Sequence, residues 1–368
     1  MTPFLKKILG MNWILFVLTI ALAVFGIVVI RSATASHDDQ AHYWVKQSYW
    51  VAFGVVVFIA VSLVDYRWIR WGALPMYFVG IIFLVMTIVR GSRVNGAKSW
   101  LHIGPLNFQP AQLAVIAGIM VLALFLSQYR NMHPMIKLAF CGVITGAPCL
   151  LILLQPDLGE VIVWVPTVIA MLFIGSIPLR YLISIVIFGA ACIPIVAYFG
   201  LHHYQFQRLT AFLDPDIDPR GIAWDINQCL IAIGSGGWAG KGYMAPNNLI
   251  GLGYLKAAAH TDYIFCPVGE QWGFLGGVAL ISAFALLLLT GLFVAYRAAD
   301  DVGLLVCVGI IALMFTHICQ NVGMTLALVP ITGVPLPLMS YGGSFIVMVM
   351  FGLGLVNSVW VHRKVLGG

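Results

Sequence analysis

The sequence predicts an all-α, polytopic membrane protein of about ten transmembrane helices, with one large extracytoplasmic loop between helices 7 and 8. Two observations carry this reading. Of 368 residues, 61% are hydrophobic and only 9% charged, whereas a soluble domain carries roughly a quarter charged residues. Apolar runs of spanning length also recur along the whole chain, and each crossing takes about 20 such residues. Length therefore counts spans, giving a single transmembrane domain over 1–368 with the loop 201–263 inside it.

The first run, 11–30, follows Lys6-Lys7 and has no small-residue cleavage site behind it, which reads as a retained helix. Runs at 48–64 and 71–89 come next. The segment 90–110, "RGSRVNGAKSWLHIGPLNFQP", carries the turn dipeptides Asn-Gly and Gly-Pro, and its Trp100 suits a membrane interface. Runs at 111–128, 136–154, 159–177 and 181–200 follow, and 274–296, 303–325 and 343–361 close the set.

An even count places both termini on one side. Lys6, Lys7, Arg363 and Lys364, with Arg67, Arg70, Arg130, Lys137, Arg180 and Arg297 in the short turns, mark that side as cytoplasmic. The opposite connections 155–158 and 326–342 hold no Lys or Arg. The loop 201–263 and the segment 90–110 are then outside.

Five of the seven cysteines lie in apolar segments, none in a Cys-x-x-Cys pair, so they read as small buried hydrophobes. A scattered net charge of +6 gives no basic tail and no case for nucleic acid. "GSGGWAGKG", 234–242, fails the phosphate-loop pattern, because Gly242 stands where Ser or Thr should bind magnesium. It reads first as a flexible turn, with a lipid-diphosphate cradle as the alternative. "DPDIDPRGIAWD", 214–225, spaces Asp214, Asp216, Asp218 and Asp225 as a calcium loop would, but its glycine is late and prolines interrupt. Asp-Pro turns explain it more simply.

Polar groups inside spans are more informative, since an unsatisfied one costs several kcal/mol in hydrocarbon. His317, Gln320 and Asn321 share one helix face, for interhelical hydrogen bonds or for a cavity lining. "QPDLGE" sets Asp157 and Glu160 in a short outer turn, and helix capping accounts for Asp157 alone. Asp262, in "AHTDYIF", stands at the seam between the polar loop and the next apolar span. The bland reading is an N-cap. The chemical reading is a base, because a carboxylate with water on one side and an apolar wall on the other is tuned toward neutral pH. Arg208, Arg220, Lys241 and Lys256 belong to the same loop.

"QPDLG" (155–159), "YQFQRLTAFLDPDIDPRG" (204–221), "AIGSGG" (232–237), "HTDYIF" (260–265) and "GVPLPLMSYGGS" (333–344) together resemble the SEDS family of shape, elongation, division and sporulation proteins. "QPDLG" and "GVPLPL" look more like its elongation branch than its division branch. The resemblance runs over nearly the whole chain. It implies a ten-helix peptidoglycan glycosyltransferase that polymerises lipid II at the outer face of the bacterial cytoplasmic membrane during elongation. Its essential aspartate maps onto Asp262. A base on the acceptor's 4-hydroxyl suffices for inverting transfer, since diphosphate is a good leaving group. Arg208 and Lys241 are the candidate diphosphate contacts, and Gln155, Asp157, His260, Ser340 and Ser344 of the shared motifs are candidate substrate contacts. No metal ligand is assigned; a divalent cation, magnesium or manganese, is the one cofactor allowed for. Implied partners are lipid II, the growing lipid-linked glycan strand, a class B penicillin-binding transpeptidase and the MreB-directed elongation machinery.

Three positions depart from the family pattern. "FQPAQLAV" has Gln112 and Val115 where a Glu and a Lys are common, Leu230 replaces a Lys, and "YLKAAAHTD" lacks a Pro-Glu before the histidine. Losing a charge pair together is better tolerated than losing one member. The rival readings are a lipid II flippase, which needs polar groups at several depths, and a non-catalytic scaffold for the transpeptidase.

Overall fold

The computed structural model describes residues 3–35, 40–94, 97–103, 106–199, 203–213, 222–249, 252 and 259–363. Its helices are α1 (Pro3–Leu9), α2 (Trp13–Ala33), α3 (Tyr43–Leu63), α4 (Ile69–Arg90), α5 (Pro110–Gln128), α6 (Pro134–Leu153) and α7 (Leu158–Ile174). They continue as α8 (Leu179–Phe199), α9 (His203–Leu213), α10 (Ile222–Gly236), α11 (Phe265–Tyr296), α12 (Asp301–Thr325) and α13 (Gly343–Val361). Among the described residues eight helices are long and apolar enough to cross a membrane: α2 to α6 and α11 to α13. The apolar α7 and the Leu179–Cys192 part of α8 are shorter. Each expected apolar run falls on one of these helices, and the chain is a polytopic, mainly helical membrane protein.

Two segments are more ordered than their turn-rich sequences suggest. Residues 90–110 form a small antiparallel sheet of β1 (Ser92–Val94), β2 (Ala97–Ile103) and β3 (Leu106–Phe108), in the order β1-β2-β3. Leu101 pairs with Phe108 and Ile103 with Leu106, so β2 and β3 run antiparallel. The loop 201–263 contains α9 and α10. The calcium-like Asp214, Asp216 and Asp218, with Arg220 and Lys256, lie outside the described residues.

Helix α5 is the central column, buried along most of its length and packed by α4, α6, α7, α12 and α13. Helix α12 approaches it closely because Gly309 faces Ile119 of α5 and Met171 of α7. In lipid such small-residue contacts stand in for a hydrophobic driving force. The outer helix faces expose Trp71, Phe78, Ile82 and Val89 of α4 and Leu289 of α11, as acyl chains require.

Capping fixes where the spans end. Asn12 Oδ1 accepts from Leu15 N at 3.0 Å, and Asn12 N donates to Asn357 Oδ1 at 2.9 Å, joining α2 to α13. Asp300 Oδ1 accepts from Gly303 N and from the Tyr66 hydroxyl, both at 2.9 Å. At the other end of the bundle the connectivity gathers the sheet, α9, the 154–157 turn, the 259–264 turn and the 326–342 connection. That end carries the candidate site.

Candidate active site

Asp262 does not cap α11. The N-cap is Ile264, without a side-chain cap bond, so the carboxylate is directed elsewhere. Its surroundings are built by the 326–342 connection. Asn321 of α12 donates Nδ2 to the Asp262 carbonyl and to the Val334 carbonyl, each at 2.7 Å. Ser340 Oγ donates to the Thr261 carbonyl at 2.6 Å and accepts from Leu336 N at 2.8 Å. Tyr341 N donates to the His260 carbonyl at 2.9 Å. Every peptide from 260 to 262 is therefore pinned, and the Asp262 side chain stays part-exposed.

Gly333 brings Asp262 and Arg208 together. At φ +70° its backbone is in the left-handed region. A Cβ built there would lie 3.3 Å from Asp262 Oδ2 and 3.6 Å from an Arg208 guanidinium nitrogen. Helix α9 delivers Arg208, and Gln205 of the same helix donates to the Pro156 carbonyl at 3.0 Å, docking α9 on the 154–157 turn. Asp157 on that turn caps α7, accepting from Glu160 N at 3.4 Å, and also accepts from Gln109 Nε2 at 3.3 Å. The bland capping role is thus real, and the same carboxylate still faces the site.

The electrostatics follow from this packing. Burial pushes the Asp262 carboxyl up to about 7, the Arg208 guanidinium pulls it down, and Asp157 pushes it up again. Burial likewise holds Asp157 above the ordinary carboxylate range, against hydrogen bonds from the Glu160 N–H, Ser99 and Gln109 and the charge of Arg208. One guanidinium thus serves two carboxylates at the boundary between loop and bundle. A group poised near neutrality suits proton abstraction.

Not every candidate residue joins this cluster. Lys241 Nζ pairs with Glu270 Oε1 at 2.7 Å, the two side chains 15% and 0% exposed, and also donates to the Asn247 carbonyl at 3.2 Å. It is a brace between the 237–249 loop and α11, and its charge is already matched. Gln155 turns into the bundle, donating to the Leu84 carbonyl at 3.0 Å, while its own carbonyl accepts from Lys98 N at 3.1 Å. Ser340 is a backbone staple. Ser344 has a buried hydroxyl with no partner among the described residues and no contact with Asp262 in the interactions above. His260 is buried, edge-on to Tyr43 and Tyr341 with ring centroids 5.1 and 5.6 Å away.

The glycines of 234–242 serve packing. A Cβ at Gly240 (φ +80°) would collide with the Gln271 carbonyl, so the turn presses against the α11 backbone rather than opening as a cradle. The polar face of α12 bonds mainly to the 326–342 connection: His317 Nδ1 lies 3.3 Å from the Pro335 carbonyl, and Gln320 donates to the Pro330 carbonyl at 3.2 Å and to Thr332 Oγ1 at 3.0 Å. His317 also lines a cavity of about 30 Å³ with Gln112, Val115 and Glu160, so the cavity-lining role is present, while the hydrogen bonds of this face go to connecting segments rather than to another helix. All seven cysteines are free.

Among the described residues no three His, Cys, Asp or Glu side chains cluster as a metal cage. The donor set beside Asp262 is one further carboxylate, Asp157, which suits an ion completed by substrate oxygens rather than one held by protein alone.

Residues 12–365 match the family model of FtsW, RodA and SpoVE cell cycle proteins. The chain belongs to that family. The FtsW/RodA/SpoVE relatives include the peptidoglycan glycosyltransferase MrdB of Escherichia coli K12, 34% identical, with 96% of this chain and 94% of the relative aligned. The peptidoglycan glycosyltransferase RodA of Treponema pallidum is 31% identical, with 96% and 98% aligned. A structure described as showing the structural coordination of polymerization and crosslinking by a peptidoglycan synthase complex superposes with a TM-score of 0.80 at 28% identity, covering 96% of this chain and 99% of the other. The elongation-branch character read from "QPDLG" and "GVPLPL" agrees with the MrdB and RodA names.

Proposed function

We propose that this chain is a peptidoglycan glycosyltransferase that polymerises lipid II into β-1,4 glycan strands, with Asp262 as the base. The observation that carries the reading is the Asp262–Arg208 pair flanking Gly333, with the carboxyl tuned to about 7. Asp262 takes the proton from the acceptor sugar's 4-hydroxyl as that oxygen attacks the donor's anomeric carbon. The bond to the lipid diphosphate breaks, the anomeric centre inverts, and Arg208 balances the charge left on the diphosphate. A divalent cation, where one takes part, would be held by Asp157 together with diphosphate oxygens and would supply further charge neutralisation.

The lysine and arginine bias of the short turns supports cytoplasmic termini and an extracytoplasmic site. A class B transpeptidase is the expected partner, by analogy with the synthase complex, and the MreB-directed machinery the expected context. The flippase reading needs polar groups at successive depths, whereas Asp157, Arg208 and Asp262 lie at one end of the bundle.

Asp262→Asn keeps the shape and cannot accept the proton. Polymerisation of fluorescent lipid II by the purified variant, with a cognate transpeptidase present, should fall roughly 10²–10⁴-fold. Near-normal glycan strands from a folded Asn variant would sink the assignment.

A further inference from the structure

Two tyrosines stand beside the pinned turn and take no part in the chemistry above. Tyr43 opens α3 and Tyr341 ends the 326–342 connection; their rings stack at 4.6 Å with an interplanar angle of 6°. Both are half-buried, so an edge of the stack faces the outside. Among the described residues neither phenolic oxygen has a hydrogen-bond partner, and the nearby Tyr43 phenol adds to the burial that raises the Tyr341 hydroxyl. Lys46 Nζ lies 5.7 Å from the Tyr43 ring centre, and Arg31 covers the neighbouring Trp44 at 5.2 Å.

The stack is held rigidly to the catalytic turn. His260 packs edge-on against both rings, and Tyr341 N is bonded to the His260 carbonyl. Gln47, one turn after Tyr43 on α3, donates to the Ser340 carbonyl and accepts from Gly342 N, each at 3.2 Å. Asp262 follows His260 by two residues, at most ~7 Å of chain. At 4.6 Å and 6° the pair is offset-stacked, an arrangement that aromatic rings favour and that holds both phenols in fixed positions. Here two hydroxyls border an aromatic surface, and an ammonium lies over the Tyr43 ring.

We propose that Tyr43 and Tyr341, with Lys46, form a saccharide-binding edge that seats a sugar of the acceptor glycan beside Asp262. A pyranose ring has an apolar C–H face and a polar rim. The first matches the aromatic surface, and the second matches the phenols and the ammonium. A few polar groups on an aromatic wall is the usual make-up of a small-ligand site. The identity of the ligand rests on the glycosyltransferase reading; the site's existence does not depend on Asp262 being the base.

The test uses the full chain in nanodiscs and a lipid-free β-1,4-linked GlcNAc–MurNAc tetrasaccharide, followed by saturation-transfer NMR. The parent should bind it. Tyr43→Ala should bind about tenfold more weakly, equivalent to about 1.4 kcal/mol, and Tyr43→Phe should fall between. With lipid II, Tyr43→Ala should raise KM while kcat holds, a split that a merely structural ring would not produce. Should the Ala variant fail to fold by circular dichroism, Tyr43→Phe and Lys46→Ala carry the comparison. Asp262→Asn should bind the tetrasaccharide like the parent yet polymerise roughly 10²–10⁴-fold more slowly; near-parent polymerisation by that variant would overturn the base assignment alone. No binding to the parent, or equal binding by parent and Tyr43 variants, would overturn the saccharide edge.

Discussion

Asn321 holds the backbone of Asp262: its amide donates at 2.7 Å to the Asp262 carbonyl and at 2.7 Å to the carbonyl of Val334. One side chain of α12 thereby ties the entry to α11 to the connection that carries Gly333. Asn321 is fully buried, so removing its amide takes the donor from the buried Val334 carbonyl and from the part-buried Asp262 carbonyl. We expect Asn321→Ala to destabilise the protein by about 1–3 kcal/mol for each acceptor left unsatisfied. Polymerisation should drop beyond what that instability explains, because Asp262 loses its fixed position. Thermal melting beside initial rates checks this. A melt like the parent's would show that the two bonds are not what hold the turn.

The pH dependence follows from the raised carboxyl of Asp262. Activity requires the ionised form, so the rate should climb as pH rises through about 7. Stability should run the other way. The unfolded carboxyl ionises near 3.8 and the folded one near 7, so the folded state holds the extra proton in between. Folding free energy is then lost as pH rises across that window. Asp157→Asn removes a neighbouring negative charge and should move the activity midpoint to lower pH. A pH–rate profile of each variant decides, and an unmoved midpoint would separate Asp157 from the base.

Arg208 serves both as a counter-charge and as a phosphate fork. Arg208→Lys keeps the charge and loses the bidentate geometry, so lipid II binding should weaken while the pH midpoint stays near the parent's. Arg208→Gln loses both, and its midpoint should move to higher pH because the pull on Asp262 is gone. Unchanged binding and unchanged rate in the Lys variant would remove Arg208 from the site.

The spans were legible because hydrocarbon demands long apolar runs, and each expected run falls on a helix. Asp262 was legible from a charge at the seam of a span and from "HTD". Gly333 was not: its role lies in a backbone conformation and in proximity to α9, neither of which is a local pattern. The partner of Lys241 was hidden for the same reason. In sequence this lysine is one more basic residue of the outer loop, and only the fold shows Glu270 of α11 matched to it at 2.7 Å. The segment 90–110 carried turn signals, but β1 and β3, three residues each, are too short to show an alternation.

The departures at Gln112 and Val115 now have a setting. Val115 is buried, and with Gln112, Glu160 and His317 it lines the cavity of about 30 Å³. Gln112 donates to Gln109 Oε1 at 3.0 Å and is hydrogen-bonded to Glu160, while its own Oε1 is buried without a partner. A lysine at 115 would meet acceptors already in place. Gln112→Glu alone would instead put a second carboxylate beside Glu160 and remove the donor to Gln109. The two single changes are therefore unequal. Gln112→Glu should cost about 3–5 kcal/mol, as an uncompensated buried charge does, and Val115→Lys should be tolerated better. The double variant restores a charge pair next to Glu160 and Gln109, which leads through Asp157 to the active site. It should polymerise lipid II faster than the parent in side-by-side assays with the transpeptidase. Equal rates would show that the Gln112–Glu160 hydrogen bond already does what the charge pair does elsewhere.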